Sequence, residues 1–160
     1  MVEAVARSRA LHRPWVRPPE TLDAYERWLV QVSQPTHRSH LVLADRGSGQ
    51  TLVGVINANE IVMGAFCSAY LGYYAFSPHA RCGLMRAGMS QVLARLFGEQ
   101  GLHRVEANIQ PDNTASLAFV RSLGFRREGF SPRYLQIEGE WRDHERWALL
   151  EEEWVAGAFG

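Results

Sequence analysis

The sequence predicts a mixed α/β domain: a twisted, mostly antiparallel sheet with one parallel step in its middle and helices on both faces. Three observations carry this. Strand-like runs come in adjacent pairs near both ends of the chain, as hairpins do. Between them strand, helix, strand and helix alternate, and a strand that returns through a helix runs parallel to the first. The helical stretches each show an apolar face to bury on a sheet.

The elements follow in order. Residues 3–12 read as a short helix ended by Pro14. PPETLDAYERWLVQVSQ starts a second helix at Thr21, with Leu22, Tyr25, Trp28 and Leu29 at helical spacing. SHLVLAD and TLVGVINA are β-like, and the turn formers of DRGSGQ join them as a hairpin. FCSAYLGYYAF is a third β run. GLMRAGMSQVLARLFGEQ places Met85, Met89, Val92, Leu93 and Leu96 on one helical face, with Gly101 as a stop. In RVEANIQ, Val105, Ala107 and Ile109 alternate with Glu106, Asn108 and Gln110, the pattern of a half-buried strand. PDN leads into a helix at TASLAFVRSL, ended by Gly124. RYLQIEGEWRDHERWALL reads as two strands around a tight turn at Glu138–Gly139.

The 160 residues suit one domain, 1–160, and 46% apolar with 21% charged content is that of ordinary globular protein. The formal net charge of zero argues against nucleic acid or a membrane surface as partner. Cys67 and Cys82 make neither a disulfide framework nor a metal-ligand spacing, so no metal is expected. The longest mostly apolar run is too short to span a bilayer, and MVEAVARSRALHR lacks the apolar core of a signal peptide. A cytoplasmic location is the expectation.

HARCGLMRAG, residues 79–88, runs from a polar turn straight into a helix. The first amides of a helix lack internal partners and carry partial positive charge. The main chain from Ala80 through Arg81, Cys82, Gly83 and Leu84 to Met85 therefore has the makings of a pyrophosphate cradle, with Arg81 adding a charge. A plain strand-to-helix connection is the competing reading. The stretch has neither GK[ST] nor G-x-G-x-x-G, which excludes the two common nucleotide loops.

Together, LGYYAFSPHARCGLM, HRVEANIQPDNTAS, SLGFRREGF and YLQIEGEWRDHERWAL resemble, in this order, the GNAT superfamily of acyl-CoA-dependent N-acetyltransferases, and within it the RimJ/RimL type. RPW at 13–15 resembles a segment near the acceptor side of that family. The likeness covers roughly residues 11–150. It implies the GNAT fold, without the family's usual first strand. It implies acetyl-CoA as co-substrate, held at the turn, with Asn113, Ser116 and Phe119 along the pantetheine. It also implies that a bulge or splay at Tyr74, Ala75 or Phe76 offers amides to the thioester carbonyl. The turn departs from the family pattern by carrying Ala80 and Arg81, and a Cβ at Arg81 restricts positive φ.

Acetyl transfer to an amine needs a proton acceptor, donors for the developing oxyanion and a proton for the leaving thiolate. Glu106 is a candidate base or a structural carboxylate paired with an arginine. Asn108 stands where some N-terminal acetyltransferases carry a Glu. Asn113 is both a natural N-cap and, by resemblance, a pantetheine ligand. Ser116, by resemblance, protonates the thiolate, or else is satisfied by its own helix. Phe119 stands where other members have a proton-donating Tyr. Asp143 and His144 point to opposite faces of a strand and read as structural. Trp15 and Tyr134 are assigned to the acceptor side, and Trp141 and Trp147 to packing. The expected function is acetyl transfer to a protein N-terminal α-amine, by a monomer or homodimer. The alternatives are a small-molecule amine acceptor and a non-catalytic acyl-CoA-binding module.

Overall fold

A computed structural model describes residues 1–45, 47 and 49–154, so Arg46 and Ser48 of the first predicted turn and the last six residues lie outside the described residues. The helices are α1 (Val2–Arg7), α2 (Arg9–His12), α3 (Leu22–Val32), α4 (Leu84–Gly98) and α5 (Thr114–Ser122). The strands are β1 (Arg38–Asp45), β2 (Gln50–Val62), β3 (Ser68–Ala75), β4 (Arg104–Ile109), β5 (Arg126–Ile137) and β6 (Glu140–Leu150). They form one sheet in the order β1-β2-β3-β4-β6-β5, in which only β3 and β4 are parallel. Both edges, β1 and β5, belong to the predicted hairpins.

Two elements differ from expectation. The predicted helix over 3–12 breaks at Ser8, whose Oγ donates to Ala4 O at 2.6 Å and accepts from Ser77 N at 2.8 Å. A side chain that bonds its own backbone and a distant segment outcompetes continuous helix. β5 begins at Arg126 rather than Arg133, and two register shifts accommodate the Gly129 and Pro132 region within it.

Helices cover both faces. On one, α4 and α5 pack Met89, Leu93, Leu96, Leu117 and Val120 against Val105, Ala107 and Leu149 of the sheet. On the other, Ala4 and Val5 of α1 meet Val55, Tyr74 and Phe76, with Trp28 of α3 beside them. β2 serves both cores through a bulge: Val42 pairs with Gly54 and Leu43 with Leu52, leaving Val53 as the extra residue. The alternation therefore reverses there, so Val53 and Ile56 enter the larger core while Leu52 and Val55 join the smaller. Gly54 permits the close approach of α4, since a Cβ would lie 2.3 Å from Met85 Sδ and 2.6 Å from Tyr74 O.

Three predicted caps and turns form as read. Thr21 accepts from Ala24 N at 3.2 Å, and Asn113 Oδ1 from Ser116 N at 3.2 Å. Glu138 and Gly139 take φ of 56° and 81°, as a two-residue hairpin turn requires. No helix among the described residues is long and apolar enough to cross a membrane.

Candidate active site

The site exists because β3 and β4 stay paired for only three residues. Ser68, Ala69 and Tyr70 lie beside Arg104, Val105 and Glu106, and the pairing ends there. Past that point the strands part, and the β4-facing main-chain groups of β3 have no strand partner. Phe76 N–H donates to Val53 O at 2.7 Å. By the alternation of an antiparallel ladder, the amides of Tyr74 and Phe76 turn toward β2, and those of Tyr73 and Ala75 face the opening. Of the three amides expected there, Ala75 alone is aimed correctly, and Tyr73 joins it. Phe76 has no exposed surface and belongs to the smaller core.

Two cavities meet in the opening. The larger, of about 370 Å³, is lined by Ala80, Arg81, Gly83, Met85 and Arg86 at one end and by Tyr73, Asn113, Ser116 and Phe119 at the other. The smaller, of about 190 Å³, is lined by Tyr70, Tyr73, Asn108, Asn113, Ser116 and His144 among others. Trp15, Val16, Tyr73, Asn113 and Ser116 border both.

The turn read as a cradle lies at one end of the larger cavity. Gly83 caps α4 at φ 81° and ψ −19°, and Arg81 also takes a positive φ, 63°. The restriction expected at Arg81 is overcome, at roughly 1–2 kcal/mol of local strain. Alternating handedness turns successive amides toward one concavity, the geometry that holds anions. Space over Gly83 is open, since a Cβ there would meet nothing within 4 Å. Cys82 turns its thiol back to His79 O at 2.7 Å, and Leu84 packs on the larger core, so these two contribute main chain alone. With Arg81 and Arg86 at this end and no carboxylate among the described residues lining the cavity, the site fits a polyanion such as the phosphates of coenzyme A.

At the shared boundary, Tyr73 Oη and Ser116 Oγ are 2.7 Å apart. Burial pushes the Tyr73 phenol well above its ordinary value, against the opposing effect of the Ser116 hydrogen bond, so it remains protonated at neutral pH. Its ring lies 5.1 Å from that of Phe119. Tyr73 was not singled out in the sequence, because its partner is 43 residues away. It supplies a phenol from β3 where Phe119 on α5 has none.

The other predicted residues divide clearly. Asn108 lines the smaller cavity with a buried Oδ1 that has no protein partner. Glu106 does not reach it. It sits where β3 and β4 are still paired and accepts from Arg104 Nε at 2.7 Å, while the same guanidinium binds Glu128. Of the two readings of Glu106, candidate base and structural carboxylate paired with an arginine, the geometry matches the second: its carboxylate is held in an ion-pair cluster at the closed end. Tyr134 lines neither cavity, and its ring stands 6.2 Å from that of His144. His144, read from sequence as structural, faces the smaller cavity. His12, also not singled out, lines the larger one and donates from Nε2 to Ala75 O at 2.8 Å, pinning α2 to the end of β3. Among the described residues no group of three or more His, Cys, Asp or Glu side chains is placed to hold a metal ion.

The family described as acetyltransferase (GNAT) domain matches residues 1–126. The chain belongs to the GNAT family. Among relatives of this GNAT domain, ribosomal protein uS5-alanine N-acetyltransferase of Escherichia coli is 36% identical over 106 residues, which is 66% of this chain and 55% of that protein. A probable N-acetyltransferase of Bacillus subtilis, YjcK, is 33% identical over 64% of this chain and 57% of its own. The GNAT chain described here thus spans about half the length of the curated relatives it matches. Among solved structures, Mycobacterium smegmatis RimJ in complex with CoA-disulfide superposes with a TM-score of 0.84 at 26% identity, covering 95% of this chain and 76% of that one. A spermidine N-acetyltransferase from Vibrio cholerae in complex with CoA and spermine shares the fold, with a TM-score of 0.73 at 21% identity over 86% of this chain and 80% of its own.

Proposed function

We propose that this GNAT domain transfers the acetyl group of acetyl-CoA to a protein N-terminal α-amine, directly, with both substrates bound together. The observation that carries this reading is the pair of cavities meeting at Tyr73 and Ser116. One end offers a cradle for phosphates, the other a chamber for an acceptor, and the reacting atoms would meet where the strands part. Holding both substrates there supplies much of the rate.

The chain's residues divide the work. Main chain from Ala80 to Met85, with Arg81 and Arg86, would hold the phosphates; Asn113 and Phe119 would border the pantetheine. The amides of Tyr73 and Ala75 would donate to the carbonyl oxygen as negative charge develops there. The Tyr73–Ser116 hydroxyl pair would supply the proton for sulfur. Acetyl-CoA is a substrate here, consumed at each turnover, and brings the activated acyl group.

The α-amine is favoured over a polyamine by what the acceptor chamber lacks. Among the described residues lining it there is no carboxylate to receive a second or third positive charge. The likeness to relatives named for ribosomal-protein alanine acetylation supports the same acceptor.

The test is calorimetric titration with acetyl-CoA, followed by turnover with peptides beginning in Ala or Ser against spermidine. Turnover confined to peptides is the expected outcome. Preference for spermidine would point to the small-amine reading, and binding without turnover on any amine to a non-catalytic module.

A further inference from the structure

Resting on the reading above, we propose that His144 is the catalytic base of the acceptor chamber: its Nε2 takes the proton that the incoming ammonium must lose before it attacks. An ammonium has no lone pair, so one that binds in its charged form must pass a proton to a nearby group before it can attack. The sequence offered Glu106 for this, and the structure commits Glu106 to Arg104. Among the described residues lining the chamber there is no Asp, Glu or Lys, and the phenols of Tyr70 and Tyr73 are both pushed upward by burial. Asn108 is not basic. His144 remains.

Its environment suits the role. The residue is 3% exposed. Nδ1 lies 2.9 Å from Arg142 O, and because a carbonyl only accepts, Nδ1 carries the hydrogen and the lone pair is on Nε2. Burial lowers the imidazole below its ordinary value, opposed by that backbone hydrogen bond and by Asp143, so the ring is neutral at pH 7. The ionisable groups around it are Asp143, Arg142 and Arg146 on β6, Tyr134 on β5 and Tyr70 on β3. Asn108 on β4, with its unsatisfied Oδ1, would accept from the same ammonium and hold it toward the imidazole.

The proton balance closes. One proton of the ammonium passes to Nε2, and the imidazolium later returns it to solvent. The neutral nitrogen attacks the thioester carbon, the C–N bond forms and the C–S bond breaks. Ser116 gives a proton to sulfur, and the second proton lost by nitrogen replaces it.

The experiment is the pH dependence of kcat/KM, using a peptide with a free N-terminal alanine, for the wild type and His144→Gln. The wild-type acid limb should fall below about 6.5, the ordinary histidine value. It should coincide with the titration of the His144 imidazole followed by NMR in the same protein, a comparison that needs no variant. In His144→Gln the reaction must wait for free amine, so the limb should move to about 8, the α-amino value. The loss should be on the order of 100-fold at pH 6 and shrink to a few-fold at pH 9 as the amine deprotonates itself. Titration with CoA should show unchanged binding. Wild-type turnover with the same limb in His144→Gln, or an NMR titration that misses the limb, overturns the proposal alone. A wild type that binds acetyl-CoA and acetylates no amine overturns the function beneath it as well.

Discussion

β3 and β4 are one parallel pair with two unlike ends. At the closed end, Ser68 to Tyr70 pair with Arg104 to Glu106, and charge is neutralised in place: Arg104 binds both Glu106 and Glu128, and Arg126 binds Glu128 and Glu153. At the open end the described lining of the smaller cavity carries no Asp, Glu, Lys or Arg and holds hydroxyls, three carboxamides and one imidazole. The contrast shows where charged residues on a strand stabilise and where neutral donors and acceptors are left to meet a substrate. A carboxylate near a cleft is a poor base when an arginine already holds it.

The open end should give the largest effects. Ser116→Ala or Tyr73→Phe should lower kcat about 100-fold with little change in the KM for acetyl-CoA, the ordinary scale of a lost proton donor. The double variant should be little worse than either single one, since the hydroxyls act as a pair. Rapid-quench and steady-state kinetics check both.

Next comes the cradle. Gly83→Val forces a β-branched residue to φ 81° and crowds the concavity. Calorimetry should show acetyl-CoA affinity down by about 10–100-fold, equivalent to about 1.4–2.7 kcal/mol. Unchanged affinity would remove the turn from phosphate binding.

The closed end should respond in stability and not in rate. Glu106→Gln should keep kcat within a few-fold and cost about 1 kcal/mol, the upper range for a partly exposed ion pair. That is a fall in Tm of about 2–4 °C for a chain of this size. A loss of kcat comparable with that of Ser116→Ala would return Glu106 to the chemistry and erase the distinction between the two ends.

The smallest effect concerns acid. Hydrogen bonding from Arg104, then its charge, holds the Glu128 carboxyl below its ordinary value, so the unfolded chain binds more protons than the folded one between the two values. Its stabilisation is complete above the ordinary carboxylate value and is lost as pH falls through the lower, folded one. Denaturant titrations between pH 5 and 2 should show a shallower loss in Glu128→Gln than in the wild type.

What the sequence revealed was local. The apolar stripe of α4, the alternation of β4, the Asn113 cap and the Glu138–Gly139 turn all depend on residues within a few positions of one another. The pairing of Tyr73 with Ser116 and of His12 with Ala75 spans 43 and 63 residues, and no spacing rule reaches that far. His144 was set aside for a sound but incomplete reason. Neighbours on a strand do face apart, which excludes a dyad with Asp143, yet the face that His144 occupies is the one that the parted strands open. The first half of β5 is not legible as a strand, since Gly129 and Pro132 disfavour one and two register shifts are needed to accommodate them.

Arg81 is the place where folding and binding ask for different residues. A glycine there would relax the left-handed backbone at φ 63° and make the fold easier to keep. It would also take a guanidinium from the lining of the larger cavity. A search for heat-resistant variants that scores only survival would therefore be drawn to this position, and each success would, on the proposed reading, weaken the grip on acetyl-CoA.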